Sequence, residues 1–311
     1  MDKSRKPPLT HAEALAALAA PETVPARALK ALSDLDELQL ADTLRVWAEQ
    51  KPERRIQLAE RLTAMVDEDI EVDFNALFRG LLNDHDASVR AIAAEALSGD
   101  DSVANIDPLI RHMREDANEE VRATAARVLG NYLALGELGK LSTARRDQIY
   151  SALNGVWLST REFTDVRRFA LESLGYASNP AIETLIRDAY RSEDADIRVS
   201  AVRAMGHSSD NAWAHIALKE LLNDDEEMRC AAAAACGEIE LPDAVGQLAL
   251  LIERDDALSP RLVAIDALSY ISTREAQRAL ERAAASEEEE IAEAAEEALD
   301  TWEALNGEIE F

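Results

Sequence analysis

Residues 89–99 read VRAIAAEALSG, and the chain returns to this phrase six more times. VRATAARVLGN starts at Val121, VRRFALESLGY at Val166, IRVSAVRAMGH at Ile197 and MRCAAAAACGE at Met228; PRLVAIDALSY at Pro260 and IAEAAEEALDT at Ile291 are weaker returns. Successive starts stand 32, 45, 31, 31, 32 and 31 residues apart. Six of the seven copies carry arginine second and all carry alanine fifth. Self-similarity at a fixed period of this size marks an architecture in which each unit buries its apolar face against the next.

Within a copy, positions one, five, eight and nine are apolar or small, the spacing of one face of a helix, and glycine or serine follows where a C-cap is expected. A second amphipathic stretch precedes each copy: FNALFRGLLND, DPLIRHMRED, NPAIETLIRDAYRS, NAWAHIALKELLND and PDAVGQLALLIERD. Several carry proline in the first turn, where its missing N–H costs nothing. The repeating unit is therefore two helices in about 31 residues. The alanines at positions five and eight imply close approach of neighbouring helices.

The pattern L-I-x-x-x-x-x-D-x-D-x-x-V-R-x-x-A-x-x-A-L-G resembles the HEAT repeat, in the short variety called PBS lyase HEAT-like, over about residues 74–304. The resemblance implies an all-α, alpha-alpha superhelix built as a solenoid of stacked helical hairpins. It implies no single function, since such repeats serve as scaffolds, regulatory subunits and bilin lyase subunits. Two departures locate features of this chain. The long second interval places an insertion in residues 131–165, read as a loop followed by an elongated first helix carrying Tyr150 and Trp157. Residues 24–73 hold a degenerate copy with Arg55, Ala59 and Leu62, an expected N-terminal cap. Residues 1–23 are expected to be a partly flexible extension, and 24–311 a single solenoid ending in an acidic capping helix.

Composition narrows the chemistry. At 311 residues, 47% hydrophobic and 5% aromatic, with 11 Gly and 9 Pro, the chain is an ordered helix former with little sheet. A net charge of −28 opposes nucleic acid and anionic membrane surfaces. No stretch of 18 apolar residues exists, so membrane insertion is not expected and a cytoplasmic location is the default. Cys230 and Cys236 lie six apart on one helix and point to different faces, which leaves them as thiols. The five histidines fall in no HExxH, the His-Glu pairs of HEAT-like deoxyhypusine hydroxylases are missing, and GxxxxGK[ST], GxGxxG and GxSxG do not occur. GELG at 136–139 reads as a loop. No metal, cofactor or catalytic residue is expected.

Repeated polar residues have structural readings first. Asp86, Asn118, Asp194 and Asp225 stand three residues before their copies, where an N-cap belongs, and Glu119, Glu120, Asp196, Glu226 and Glu227 follow at the positive end of each helix dipole. Stacked, they form an acidic ridge. Arg90, Arg122, Arg167, Arg198, Arg229 and Arg261 read as a ladder, as the resemblance implies, with Asp84, Asp116, Asp224 and Asp255 as nearby partners. Positions four, seven and eleven are then left to face a groove made by the second helices. This assigns Arg127, Asn131, Phe169, Glu172, Tyr176, Arg203, His207, Glu238 and Tyr270 to a protein-binding groove, because exposed aromatic residues and arginines anchor interfaces. The expected function is a non-enzymatic scaffold or adaptor whose acidic ridge steers a basic segment of a protein partner. A subunit of a bilin (tetrapyrrole) lyase is the alternative.

Overall fold

The structure is a computed structural model, and it describes residues 9–68 and 71–307. Among them there is no strand. The chain divides into two compact units, Met1–Leu135 and Gly136–Phe311.

The first unit contains α1 (His11–Ala19), α2 (Ala26–Lys30), α3 (Glu37–Ala48), α4 (Pro52–Glu68), α5 (Asn75–Leu81), α6 (Ala87–Ala96) and α7 (Ile106–Glu115), and most of α8 (Glu119–Glu137), within which the division falls. The first eight residues of the expected extension lie outside the described residues. From His11 onward the extension is a packed helix: Thr10 and Glu13 form a capping box, Ala14 and Leu18 are buried, and α1 packs on α2 and α3. In the degenerate copy, Leu58, Ala59 and Leu62 of α4 are buried, and α4 packs on α6.

The second unit alternates first and second helices. The first helices are α9 (Thr143–Trp157), α11 (Pro180–Tyr190), α13 (Ala214–Glu220), α15 (Val245–Arg254) and α17 (Arg274–Ala284). The second helices are α10 (Thr164–Leu174), α12 (Ala195–His207), α14 (Glu226–Glu238), α16 (Leu258–Tyr270) and α18 (Glu289–Asn306). Each second helix packs on the first helix before it, and the second helices pack on one another in chain order. The long interval is taken up by helix on both sides of a turn. α8 runs to Glu137, two turns beyond the end of its copy's apolar pattern, and α9 spans 15 residues. Gly136 thus ends a helix rather than forming a loop, and the turn itself uses Gly139 at φ +74°.

The caps sit as their chemistry requires. Asp86 accepts from Ser88 N–H, Asn118 from Glu120 and Val121, Asp194 from Asp196 and Ile197, and Asp225 from Met228. The glycines of the repeat divide: Gly175 is the C-cap of α10, as expected, and two others are not caps. Gly206 and Gly237 lie within α12 and α14, where a Cβ on Gly206 would come within 2.8 Å of Ala235 Cα and one on Gly237 within 2.7 Å of Ala267 Cα. Their task is to let successive second helices touch through backbone. The left-handed turn that ends these helices falls three residues later, on Ser209 (φ 48°) and Glu240 (φ 55°).

Candidate functional site

The same contacts decide which repeated side chains are free to act. On one side of the stack, three arginines of position two bind an acid that stands between the next first and second helices. Arg90 donates to both oxygens of Asp116 at 2.8 and 2.7 Å, Arg229 to both oxygens of Asp255 at 2.6 and 2.9 Å, and Arg261 to both oxygens of Glu288 at 2.8 Å. Arg55 of the degenerate copy reaches Asp84 at 3.1 Å. Each also holds backbone carbonyls of its own hairpin, as Arg229 holds Asn223 and Asp224. Two partners differ from expectation. Asp84 bridges to the preceding copy through Arg55, and it gives Arg90 of its own hairpin only its carbonyl, as Asp224 does for Arg229. The remaining arginines are held differently: Arg122 by the Asp116 carbonyl, Arg198 by the carbonyls of Ser192 and Glu193, and Arg167 by the Trp157 carbonyl with its guanidinium 5.1 Å from the Trp157 ring centre.

These acids are held low. Burial alone would raise Asp116, but the Arg90 fork, the Asn118 N–H and His112 bring it to about 2. The Arg229 hydrogen bonds likewise lower Asp255, against some desolvation.

The opposite face of the second helices in the second unit carries Glu172 and Tyr176 on or just after α10, Arg203 and His207 on α12, Glu238 on α14, and Asp266 and Tyr270 on α16. His207 stacks on Tyr176, with ring centres 4.3 Å apart and planes 9° from parallel. Its Nδ1 lies 2.9 Å from the Glu172 carbonyl, which only accepts, so Nδ1 carries the proton. Burial lowers the imidazole pKa, which keeps the ring neutral and leaves Nε2 as an acceptor 3.7 Å from Glu238 Oε1. Glu238 is pushed up to about 7, first by desolvation and then by Asp266 and Glu172, with Arg203 opposing. Its side chain is still 38% exposed, so it is reachable from solvent while protein crowds it on several sides. Desolvation raises Asp266 as well, and Tyr176 is raised to about 12 by desolvation, Glu238 and Glu172.

Two expected groove positions are not exposed. Glu172 is 5% exposed and Ser200 is fully buried, and the Ser200 hydroxyl donates to the Glu172 carboxylate. Gly175, on which a Cβ would come within 2.8 Å of Ala204 Cα, lets α10 and α12 approach so closely that these positions become their seam. Phe169 stays half-buried on α10 with the Arg168 guanidinium 5.1 Å from its ring centre. Arg127 and Asn131 belong to the first unit, where Arg127 pairs with Glu95 and Asn131 donates to the Ser98 carbonyl. Asp266, at position seven of its copy and so among the positions expected to face the groove, completes the cluster.

Other features are structural. A cleft of about 700 Å³ in the first unit surrounds Arg54, whose guanidinium donates to the carbonyls of Leu18, Ala20, Pro21 and Glu22. Cys236 is buried with its thiol raised to about 12 by desolvation, and desolvation raises Cys230 too, so neither is an activated nucleophile. No group of three or more His, Cys, Asp or Glu able to hold a metal occurs among the described residues. No helix among them is long and apolar enough to cross a membrane.

A family model described as HEAT repeats matches residues 51–130 and 156–227. No curated protein matches the chain. Solved structures are similar at low identity. Human deoxyhypusine hydroxylase in complex with glycerol is 17% identical, covering 83% of this chain and 92% of that one, with a TM-score of 0.39. The complex of CpcE and CpcF of phycocyanin lyase from Nostoc sp. PCC7120 is 20% identical, covering 73% and 94%, with a TM-score of 0.47. Yeast importin-beta (Kap95p) is 11% identical, covering 93% of this chain but 46% of that one, with a TM-score of 0.49. With paired helices stacked in copies about 31 residues apart and the model matched in both units, the chain carries HEAT repeats over residues 51–130 and 156–227.

Proposed function

We propose that the chain is a scaffold or adaptor without catalysis of its own, and that the second-helix face of its second unit holds a basic segment of a protein partner. The observation that carries this reading is the crowding of Glu238 by Asp266 and Glu172 with Arg203 as the opposing charge, which leaves its carboxyl near 7 and reachable. A lysine or arginine side chain laid there supplies the missing positive charge, and its aliphatic stem meets the Tyr176–His207 stack and Tyr270. The net charge of −28 adds long-range attraction for such a segment.

A general acidic surface attracts cations everywhere, so the test compares positions. A fluorescent lysine- and arginine-rich 12-residue peptide is titrated by anisotropy against wild type, Glu238→Lys and Glu293→Lys. Glu293 is an exposed acid on α18. Glu238→Lys is expected to weaken binding by about tenfold, equivalent to ~1.4 kcal/mol, and Glu293→Lys by no more than about twofold. Equal losses in the two variants contradict a localised site.

A further inference from the structure

We propose that the cleft beside Arg198 is a binding notch for a carboxylate, formed where one rung of the arginine ladder lacks its own acid. The inference is independent of the face around Glu238.

Three complete rungs define the geometry. In Arg90, Arg229 and Arg261 the guanidinium grips a carboxylate of the following repeat through two nitrogens while also holding carbonyls of its own hairpin. For Arg90 and Arg229 the acid stands six residues before the next copy's arginine: Asp116 before Arg122, and Asp255 before Arg261. At Arg198 the first half of the arrangement is intact, with Nη1 donating to the carbonyls of Ser192 and Glu193, both at 2.9 Å. Six residues before Arg229, however, the chain has Asn223. Its Oδ1 accepts from Asp225 N–H at 2.9 Å and its Nδ2 donates to Glu220 Oε2 at 2.5 Å, so both ends of the amide are engaged elsewhere. Among the described residues, Arg198 Nε and Nη2 have no protein partner.

In front of them lies a cleft of about 380 Å³ lined by Arg198, Lys219, Asn223, Asp225, Tyr190 and Met228. Beside the completed Arg261–Glu288 rung the corresponding space is about 210 Å³. The nearby acids are already occupied. Buried Glu220 takes Lys219 Nζ at 2.6 Å and Tyr190 Oη at 2.5 Å, and Asp225 caps α14 through Met228 N–H at 2.9 Å. A planar carboxylate fits the open pair of N–H groups as Asp116 and Asp255 fit theirs, two parallel bonds to one fork. Its source is either an acidic side chain or a chain terminus, and the chemistry at Arg198 is the same for both.

The experiment follows the arginine Nε–Hε resonances of the full chain by NMR, with assignment of Arg198 by substitution. Ac-Gly-Gly-Glu-NH2 and Ac-Gly-Gly-Gly-OH are titrated separately as side-chain and terminal carboxylates, with Ac-Gly-Gly-Gln-NH2 and inorganic phosphate as comparisons. A saturable shift of the Arg198 resonance with either carboxylate peptide, and none with the glutamine peptide, is the expected result, and the stronger arm names the source. Asn223→Asp is expected to move Arg198 toward the position of Arg229, raise the melting temperature and weaken the peptide response at least tenfold. Arg198→Lys, which keeps the charge and loses the fork, is expected to abolish carboxylate binding, read from the backbone amide shifts of Asn223 and Met228 that line the cleft. An Arg198 resonance that does not respond, a response to phosphate at lower concentration than to carboxylate, or undiminished peptide binding by Asn223→Asp or Arg198→Lys overturns the proposal.

Discussion

The arginine ladder and the opposite face of the second unit's second helices treat carboxylates in opposite ways. On the ladder side each well-formed rung gives an acid a two-bond arginine partner, and Asp116 falls to about 2 while Asp255 is also lowered. On the other face Glu238, Asp266 and Glu172 crowd together with Arg203 as the opposing charge, and Glu238 rises to about 7. The residue types are the same. What differs is whether charge is satisfied within the fold, which stabilises it, or left open, which makes a surface able to receive a partner.

The sharpest break of the ladder side is Asp255→Ala. The pair is little exposed, at 16% for the Arg229 side chain and 5% for Asp255, so removing one member strands the other. A loss of about 3 kcal/mol is expected from such a stranded charge, measured by urea unfolding. Loss below about 0.5 kcal/mol would mean that the rung is ornamental and that the carbonyl contacts alone hold the arginine.

Gly237→Ala tests what holds the open face in register. The new methyl group meets Ala267 Cα and carbonyl rather than a flexible side chain, so α14 and α16 must separate. About 2 kcal/mol of destabilisation is expected from overpacking, with the Glu238–Asp266 spacing disturbed and peptide binding weakened as well. A neutral result would show that the helices part easily and that close contact is incidental.

The pH dependence sharpens the contrast, because the two sides have opposite signs. Glu238 has a folded pKa raised from 4.5 to about 7, so the folded state binds the proton more tightly. Its contribution is fully present below about 4.5 and is lost as pH rises through 7. Asp116 has a folded pKa lowered from 3.8 to about 2, so its contribution is present above 3.8 and is lost as pH falls toward 2. Stability measured across pH 5 to 8 is expected to decline more in wild type than in Glu238→Gln, with the two curves parallel below pH 4. Parallel curves throughout would show that Glu238 titrates as an ordinary surface acid.

Much of this arrangement was legible in the sequence, because repetition averages out local ambiguity. Seven copies of one pattern locate the second helices, and the cap residues Asp86, Asn118, Asp194 and Asp225 stand where each helix begins. Alignment of copies alone does not tell how closely helices approach. Glycine at position ten reads as a helix end or as a contact, and Gly175 is both, capping α10 while its Cα faces Ala204 of α12. That ambiguity put Glu172 and Ser200 on the open face when they belong to its seam. The pattern of one copy also does not tell which copy an acid serves: Asp116 and Asp255 are ladder partners, but of Arg90 and Arg229, which stand 26 residues before them. The elongation of α8 was hidden because Ala134 and Leu135 keep helix propensity past the repeat boundary.

The open face depends most on the state of one carboxyl group. A 13C titration of the Glu238 side-chain carboxyl, followed in the free protein and again with saturating basic peptide, tests it directly. The expected midpoint is about 7 in the free protein and lower with peptide bound, because a docked cation stabilises the carboxylate. A midpoint near the ordinary 4.5, unchanged by the peptide, would contradict the claim that this face is an unsatisfied site for a positively charged segment.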